Sequence, residues 1–507
     1  MMTNEQVREH LNIVNAELER IKQMAAANKN DKTMLSQILN PIEALEKHYK
    51  LPFDLYPYQM ENLEFYTNNR KAGMFWEPGT GKTAQAVASA LIWLGEREYD
   101  KVVVIMPPIL IDQWRVFLES VEGIEPEDIL MYRGTVKQRE NLKLGKHKFT
   151  LVSSAIFRIE NEKFNAAFDS NTYVIRDEAH DIKNMQTQNF KKFKAFVADK
   201  AVNLLTGTPL SDPEDAYAYM NLLAPEIYRT KSRFMNVHAG RRDFFNKVLE
   251  WDNLDMLRDN MGMVSTRVLF KDVHDIKEVF TPIPYTLNNK HWELYRRVAE
   301  DELLRIDESK IDATSTQALY HTLQQIICNF EYFGNGKSTC FDVIDQVLDE
   351  INGRKLVIFG YYRRTNEALL EHLKKYNAVA AYGAQTPVQN RTAAETFQKD
   401  PDCRIMIVQP SSGGVGLDGL QTVCHDGLFL EFPSMREFKQ AYARLLRTGQ
   451  KNVVNIRIAY ALGTLQVTQF ANLMHKDRVV NLVVRSKEDL RKAIFGELLD
   501  TAKSKSE

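Results

Sequence analysis

The chain has 507 residues, of which 44 % are hydrophobic and 26 % charged, with a formal net charge of −1. That length excludes one ordinary core and divides into roughly two to four domains, in a composition typical of a soluble globular protein. A charge so near zero excludes a uniformly basic chain, so any surface for a polyanion must be a local patch.

No stretch approaches the ~20 apolar residues of a membrane span. The opening MMTNEQVREHLN lacks the basic start and apolar run of a secretory signal. Cys328, Cys340, Cys403 and Cys424 lie far apart without paired spacing. They predict reduced thiols in an intracellular compartment and no zinc site, and the expected location is cytoplasmic, nucleoid-associated or in the host cytoplasm if phage-encoded.

In chain order, residues 1–50 read as a helical N-terminal extension, broken around AANKNDKT. Short β-rich runs follow at Lys101–Pro107, Lys148–Ala155, Thr172–His180 and Lys200–Pro209, separated by helix-like segments. Buried strands alternating with helices predict an α/β fold with a parallel sheet. From about Pro213 to Asp349 the texture turns helical. Strand signals return at Lys355–Gly360, Ala378–Gly383, Arg404–Pro410, Gly427–Phe432 and Asn455–Ala461. The expected divisions are 1–50, a first α/β lobe at 51–225, a helical insertion at 226–345, a second lobe at 346–485 and a helical tail at 486–507.

The stretch MFWEPGTGKTAQAV, Met74–Val87, contains the core of a phosphate-binding loop. Successive N–H groups from Gly79 through Thr80 and Gly81 to Thr83 can form an anion nest at a helix N-terminus. Gly79 and Gly81 admit backbone angles that a side chain resists. Lys82 would reach the β- and γ-phosphates, and the Thr83 hydroxyl would ligate Mg²⁺. The full pattern asks for a glycine where this chain has Trp76. Trp76 lies at the far hinge of the loop, so the phosphate contacts should survive.

VIRDEAH puts Asp177 and Glu178 at the C-terminal end of a strand, where ligands of open parallel sheets bind. Asp177 can hold Mg²⁺ and Glu178 can polarise the attacking water. Arg176 interrupts the apolar run, and strand alternation should turn it away from Asp177.

The order of motifs from about residue 53 to 480 resembles the superfamily 2 helicases and translocases, and within them the Swi/Snf-type branch. LYPYQMENLEF resembles the adenine-reading segment, with Gln59 as the base contact. GTGKT, VIMPPILIDQWRVF, DEAH with DIKN, and LLTGTPL resemble motifs I, Ia, II and III. KLVIFGYYRRT, SSGGVGLDGL and QAYARLLRTGQ resemble motifs IV, V and VI. The resemblance implies two RecA-like lobes, ATP and Mg²⁺ as cofactors, and Arg444 and Arg447 as guanidiniums directed at the γ-phosphate. Asp418 falls in the motif V segment, where Asn is common, and is placed with the nucleotide-binding residues. Thr206 and Thr208 of motif III would couple nucleotide state to contact between the lobes. Ala443 replaces the motif VI glycine.

The implied partner is DNA, double-stranded or branched, contacted by a monomer mostly through phosphates. Candidates by motif position are Ser153, Ser154, Arg363, Arg364, Ser411 and Ser412, with Trp114, which reads first as core. KKFKAF and GRR are basic patches that read first as solvated faces. The expected activity is ATP-dependent translocation along DNA by a compact motor of phage or bacterial type. Strand separation and a slowly hydrolysing nucleotide-gated clamp are the alternatives.

Overall fold

The computed structural model describes residues 40–474, apart from 97–98, 211, 243–247, 249, 306–312, 334–335, 411–416, 418 and 433, together with isolated positions at 16, 19–20, 23, 38 and 495. Most of the expected N-terminal helices and the expected tail at 486–507 therefore lie outside the described residues. So do Ser411, Ser412 and Asp418. The chain forms two compact units, Met1–Val273 and His274–Glu507.

The first unit is built on seven strands: β1 (Lys71–Met74), β2 (Lys101–Met106), β3 (Ile129–Tyr132), β4 (Phe149–Ser153), β5 (Thr172–Arg176), β6 (Ala201–Leu205) and β7 (Ser265–Thr266). They run in the order β3-β4-β2-β5-β6-β1-β7, and every pairing is parallel. Strand alternation divides the side chains between two cores, one on each face. In β2, Val103 and Ile105 join one core, while Val102, Val104 and Met106 join the other. This two-sided burial explains the unbroken apolar run KVVVIM. The helix Lys82–Glu96 is buried from Ala84 through Trp93, so its alanines let it lie close against the sheet.

The second unit holds six strands: β8 (Glu278–Tyr285), β9 (Leu356–Phe359), β10 (Val379–Ala381), β11 (Ile405–Val408), β12 (Asp426–Phe429) and β13 (Val454–Ala461). Their order is β10-β11-β9-β12-β13-β8, again wholly parallel. The two RecA-like α/β lobes expected from the motif order are thus present.

The expected helical insertion at 226–345 does not stay together. Phe234, Val237, Leu257 and Val264 are buried in a core of the first unit. Tyr295, Leu323 and Ile344 are buried with Ile358 and Leu428 of the second. The stretch also contains a full strand, β8, which its two prolines disguise in the sequence. Lys277 O accepts the Val454 N–H (2.9 Å) and Tyr285 O accepts the Leu462 N–H (2.8 Å), so odd-numbered residues face β13. Pro282 and Pro284 then lie on the outer edge, where a missing N–H costs the ladder nothing and discourages pairing with another chain. No helix among the described residues is long and apolar enough to cross a membrane.

Candidate nucleotide site

Strand order assembles the site. The phosphate loop leaves β1, TGTP leaves β6 and DEAH leaves β5, and β1, β6 and β5 are adjacent. All three segments therefore emerge side by side at the C-terminal edge of one parallel sheet, the position open α/β sheets use for ligands.

In the loop, Gly79 (φ 84°) and Gly81 (φ 74°) take left-handed backbone conformations. The positive φ is what calls for glycine at 81; a Cβ there would also stand 2.5 Å from Gln59 Nε2 and displace that carboxamide from Gly81 O. The loop is held from behind. Tyr58 donates its hydroxyl hydrogen to Thr80 O (2.9 Å), and Gln59 Nε2 donates to Gly81 O (3.2 Å). Thr80 is buried and its hydroxyl closes onto Glu77 O at 2.7 Å. Lys82 Nζ donates to Trp76 O (3.0 Å) and Glu77 O (3.1 Å), which fixes the ammonium over the loop. Gln59, the expected base contact, stands beside the loop. Its Oε1 accepts the Tyr56 N–H (2.9 Å), so the carboxamide also braces the loop against its own helix.

Asp177 follows β5 and is almost fully buried. Its Oδ2 accepts the Trp114 indole N–H (2.9 Å) and its Oδ1 accepts the Glu178 N–H (2.9 Å). Burial, and then the charge of Glu178, push the Asp177 carboxyl up to about 6, against the pull of the Trp114 bond and the Lys82 ammonium. The charges of Lys82 and Glu178 are thus both felt at the Asp177 carboxyl. Glu178 has φ 52°, unfavourable for a side chain with a Cβ, by about 1 kcal/mol or more. Strain of this kind persists where surrounding structure enforces it, and Glu178 Oε2 lies 3.0 Å from His180 Nδ1. Arg176 turns to the opposite face, where it pairs with Asp181 and its guanidinium lies 5.2 Å from the Phe193 ring centroid.

Motif III meets the loop closely. A Cβ on Gly207 would stand 2.8 Å from Pro78 Cδ. Thr206 is buried and its hydroxyl accepts the Thr208 N–H (3.2 Å). Thr208 Oγ1 is buried without a hydrogen-bond partner. That orphaned hydroxyl, the glycine-shaped nest, and the buried Asp177 next to the half-buried Glu178 suit a nucleotide phosphate with a divalent cation. Thr83, in the first turn of the helix, and Asp177 are the residues that could hold the cation. Among the described residues no group of three or more His, Cys, Asp or Glu could do so alone.

Two expected nucleic-acid contacts are corrected by burial. Trp114 is 1 % exposed, and its indole is engaged with Asp177, so it offers no surface to a polyanion. Ser153 is 4 % exposed, and its hydroxyl caps the helix Ser154–Ile159 by accepting the Ile156 N–H (3.2 Å). Ser154 is half-buried and donates to Met106 O (3.3 Å). In the second unit Arg363 is exposed and paired with Glu367 (2.7 Å), and Arg364 lies 3.7 Å from the Tyr332 ring centroid. Arg444 and Arg447 are half-buried in the turns after the helix Met435–Tyr442, where Arg447 Nε donates to Ala443 O (3.1 Å). Ala443 has φ −62°, which alanine adopts as readily as glycine.

A sequence model of the family described as SNF2-related domain matches residues 58–332. Among curated proteins, the human DNA annealing helicase and endonuclease ZRANB3 is 24 % identical over 472 residues, covering 88 % of this chain and 42 % of that protein. The RAD54-like DNA repair and recombination protein of Drosophila willistoni is 22 % identical over 527 residues, covering 86 % of this chain and 64 % of that protein. The chain thus spans less than two thirds of either relative. Among solved structures, the Sulfolobus solfataricus SWI2/SNF2 ATPase core in complex with dsDNA is 20 % identical, covering 88 % of this chain and 98 % of that chain, with a TM-score of 0.41.

Proposed function

The chain belongs to the SNF2-related family, the Swi/Snf-type ATPases of helicase superfamily 2, and on that premise we propose that it is an ATP-dependent translocase of double-stranded or branched DNA. The observation that carries this reading is the gathering of Lys82, Asp177 and Glu178 at one sheet edge, with the loop braced by Tyr58 and Gln59. Such a site has little covalent chemistry to perform, and phosphoryl transfer asks mainly for positioning and charge stabilisation.

In this reading the amides of Gly79 to Thr83 cradle the phosphates and Lys82 binds their oxygens. Bound Mg²⁺, held by Thr83 and Asp177, would neutralise phosphate charge. Glu178 orients the attacking water and draws its proton. The motif VI resemblance assigns Arg444 and Arg447 to the γ-phosphate, a contribution worth roughly 10³–10⁵ in rate. Arg363 and Arg364, exposed at the start of the helix Arg363–His372, are assigned to DNA phosphates. Contacts of that kind carry little sequence information and weaken steeply with salt.

The test is the ATPase rate on single-stranded, duplex and forked DNA and on RNA, paired with displacement of a third strand from a triplex. A translocase is strongly stimulated by duplex or forked DNA and displaces the third strand without unwinding. Strand separation in the same assay would make it a helicase. Little stimulation and no displacement would make it a nucleotide-gated clamp.

A further inference from the structure

The front of the phosphate loop is tied to a segment nearly two hundred residues later. Beyond the β1–β7 pairing, the Phe75 N–H donates to Thr266 O (3.0 Å) and the Glu77 N–H to Val268 O (2.9 Å). The Arg267 guanidinium donates to Phe75 O (3.3 Å). Glu77 Oε2 accepts the Phe270 N–H (3.1 Å) at the start of the turn of helix Phe270–Val273, which ends the first unit. At the centre, the Trp76 indole N–H donates to Thr266 Oγ1 (2.7 Å), and the Tyr66 hydroxyl meets the same oxygen. Trp76 and Tyr66 are fully buried, and Thr266 is half-buried at the edge of this junction.

The lacing bears on the chemistry through Lys82. The carbonyls that hold its ammonium are Trp76 O and Glu77 O. Their position is set by a backbone that 266–270 grips from the other side. A glycine at position 76 could not supply this anchor, because it has neither an indole to bury nor a side-chain donor.

We propose that Thr266 is a positioning residue for ATP hydrolysis: through the Trp76 indole it fixes the loop front whose carbonyls place Lys82. The tryptophan is then a replacement for the usual glycine with a role of its own. The inference rests on the ATPase reading of the site and is independent of DNA.

The experiment measures kcat and KM for ATP without DNA in Thr266→Val, Thr266→Ser and Trp76→Phe. Each kcat is normalised to the fraction of molecules that binds a fluorescent ATP analogue. Thr266→Val is expected to lower normalised kcat by about tenfold or more, with KM within about threefold, because small misplacements of a catalytic group are costly. Trp76→Phe removes the donor from the other side and is expected to give the same loss. Thr266→Ser keeps the hydroxyl and is expected to recover turnover to within about twofold. A merely structural contact would lower the binding-competent fraction and leave normalised kcat unchanged. That result, or a loss that serine does not restore, overturns the proposal. Failure of DNA to stimulate the wild-type chain would sink the translocase reading and leave these ratios to decide this one.

Discussion

The indole N–H of Trp114 donates to Oδ2 of Asp177 across 2.9 Å, with both side chains buried. This bond favours the ionised carboxylate against burial and against Glu178, which push the other way. Trp114→Phe keeps most of the buried volume and removes only the donor. Loss of a bond that orients a metal-binding carboxylate typically costs about 10- to 100-fold in metal affinity or activity. The variant should need more Mg²⁺ for half-maximal turnover, and an unchanged Mg²⁺ titration would remove Trp114 from this role.

Lys82→Ala and Glu178→Gln should separate binding from chemistry. Lys82→Ala is expected to lose both nucleotide affinity and turnover. Glu178→Gln keeps the shape of the site and should bind ATP while hydrolysing it roughly 10²–10⁴-fold more slowly, the usual span for a lost general base. Isothermal titration with ATP beside a steady-state phosphate assay checks both. Wild-type turnover in Glu178→Gln would refute its assignment to the water.

Arg447→Ala and Arg444→Ala should spare ATP binding and remove most hydrolysis, by roughly 10³-fold or more if each acts on the transferred phosphate. Ala443 at the preceding position has ordinary helical angles, so a defect in the turn itself should not confuse the result. Single-turnover kinetics on preloaded ATP give the answer directly. A variant that cuts its bound ATP at the normal rate has lost no catalytic group.

The second unit should carry two opposed pH dependences. His291 is buried, with Nε2 beside Ile326 O (2.8 Å) and its ring stacked on Phe330, and burial pushes it down to about 4. Its folded value lies below the unfolded one, so folding opposes protonation and stability falls as pH drops from about 6.5 towards 4, by at most about 3 kcal/mol. Glu431 is buried among the Tyr361 and Tyr362 N–H groups and the Thr365 hydroxyl, and burial pushes it up to about 7. Its contribution is present below about pH 4.5 and lost as pH rises towards 7. Thermal melts from pH 4.5 to 7.5 should therefore show His291→Asn gaining on the wild type as pH falls. Glu431→Gln should lose ground over the same range. Differences that do not change with pH would show that neither group titrates as its surroundings demand.

What the sequence alone determined is the local chemistry. GTGKT, DEAH and TGTP each encode their own backbone within a few residues, through glycine angles, a strand end and a helix start. Their order along the chain was enough to imply two α/β lobes. The apolar runs of β2, β5 and β11 announced themselves because burial on both faces leaves no polar alternation to blur them.

Tertiary structure decided which distant side chains share a site. Trp114 donates to a carboxylate 63 residues away, and Thr266 anchors a loop 190 residues earlier. Neither pairing has a local signature, because it depends on which strands become neighbours. The same holds for β8, whose prolines argue against a strand until its place at a sheet edge is known, and for the stretch 226–345, which the two cores divide between them. A contiguous motif fixes its own dihedral angles and donors. Burial and cross-chain hydrogen bonds are properties of the packed sheet, and they exist only once it has formed.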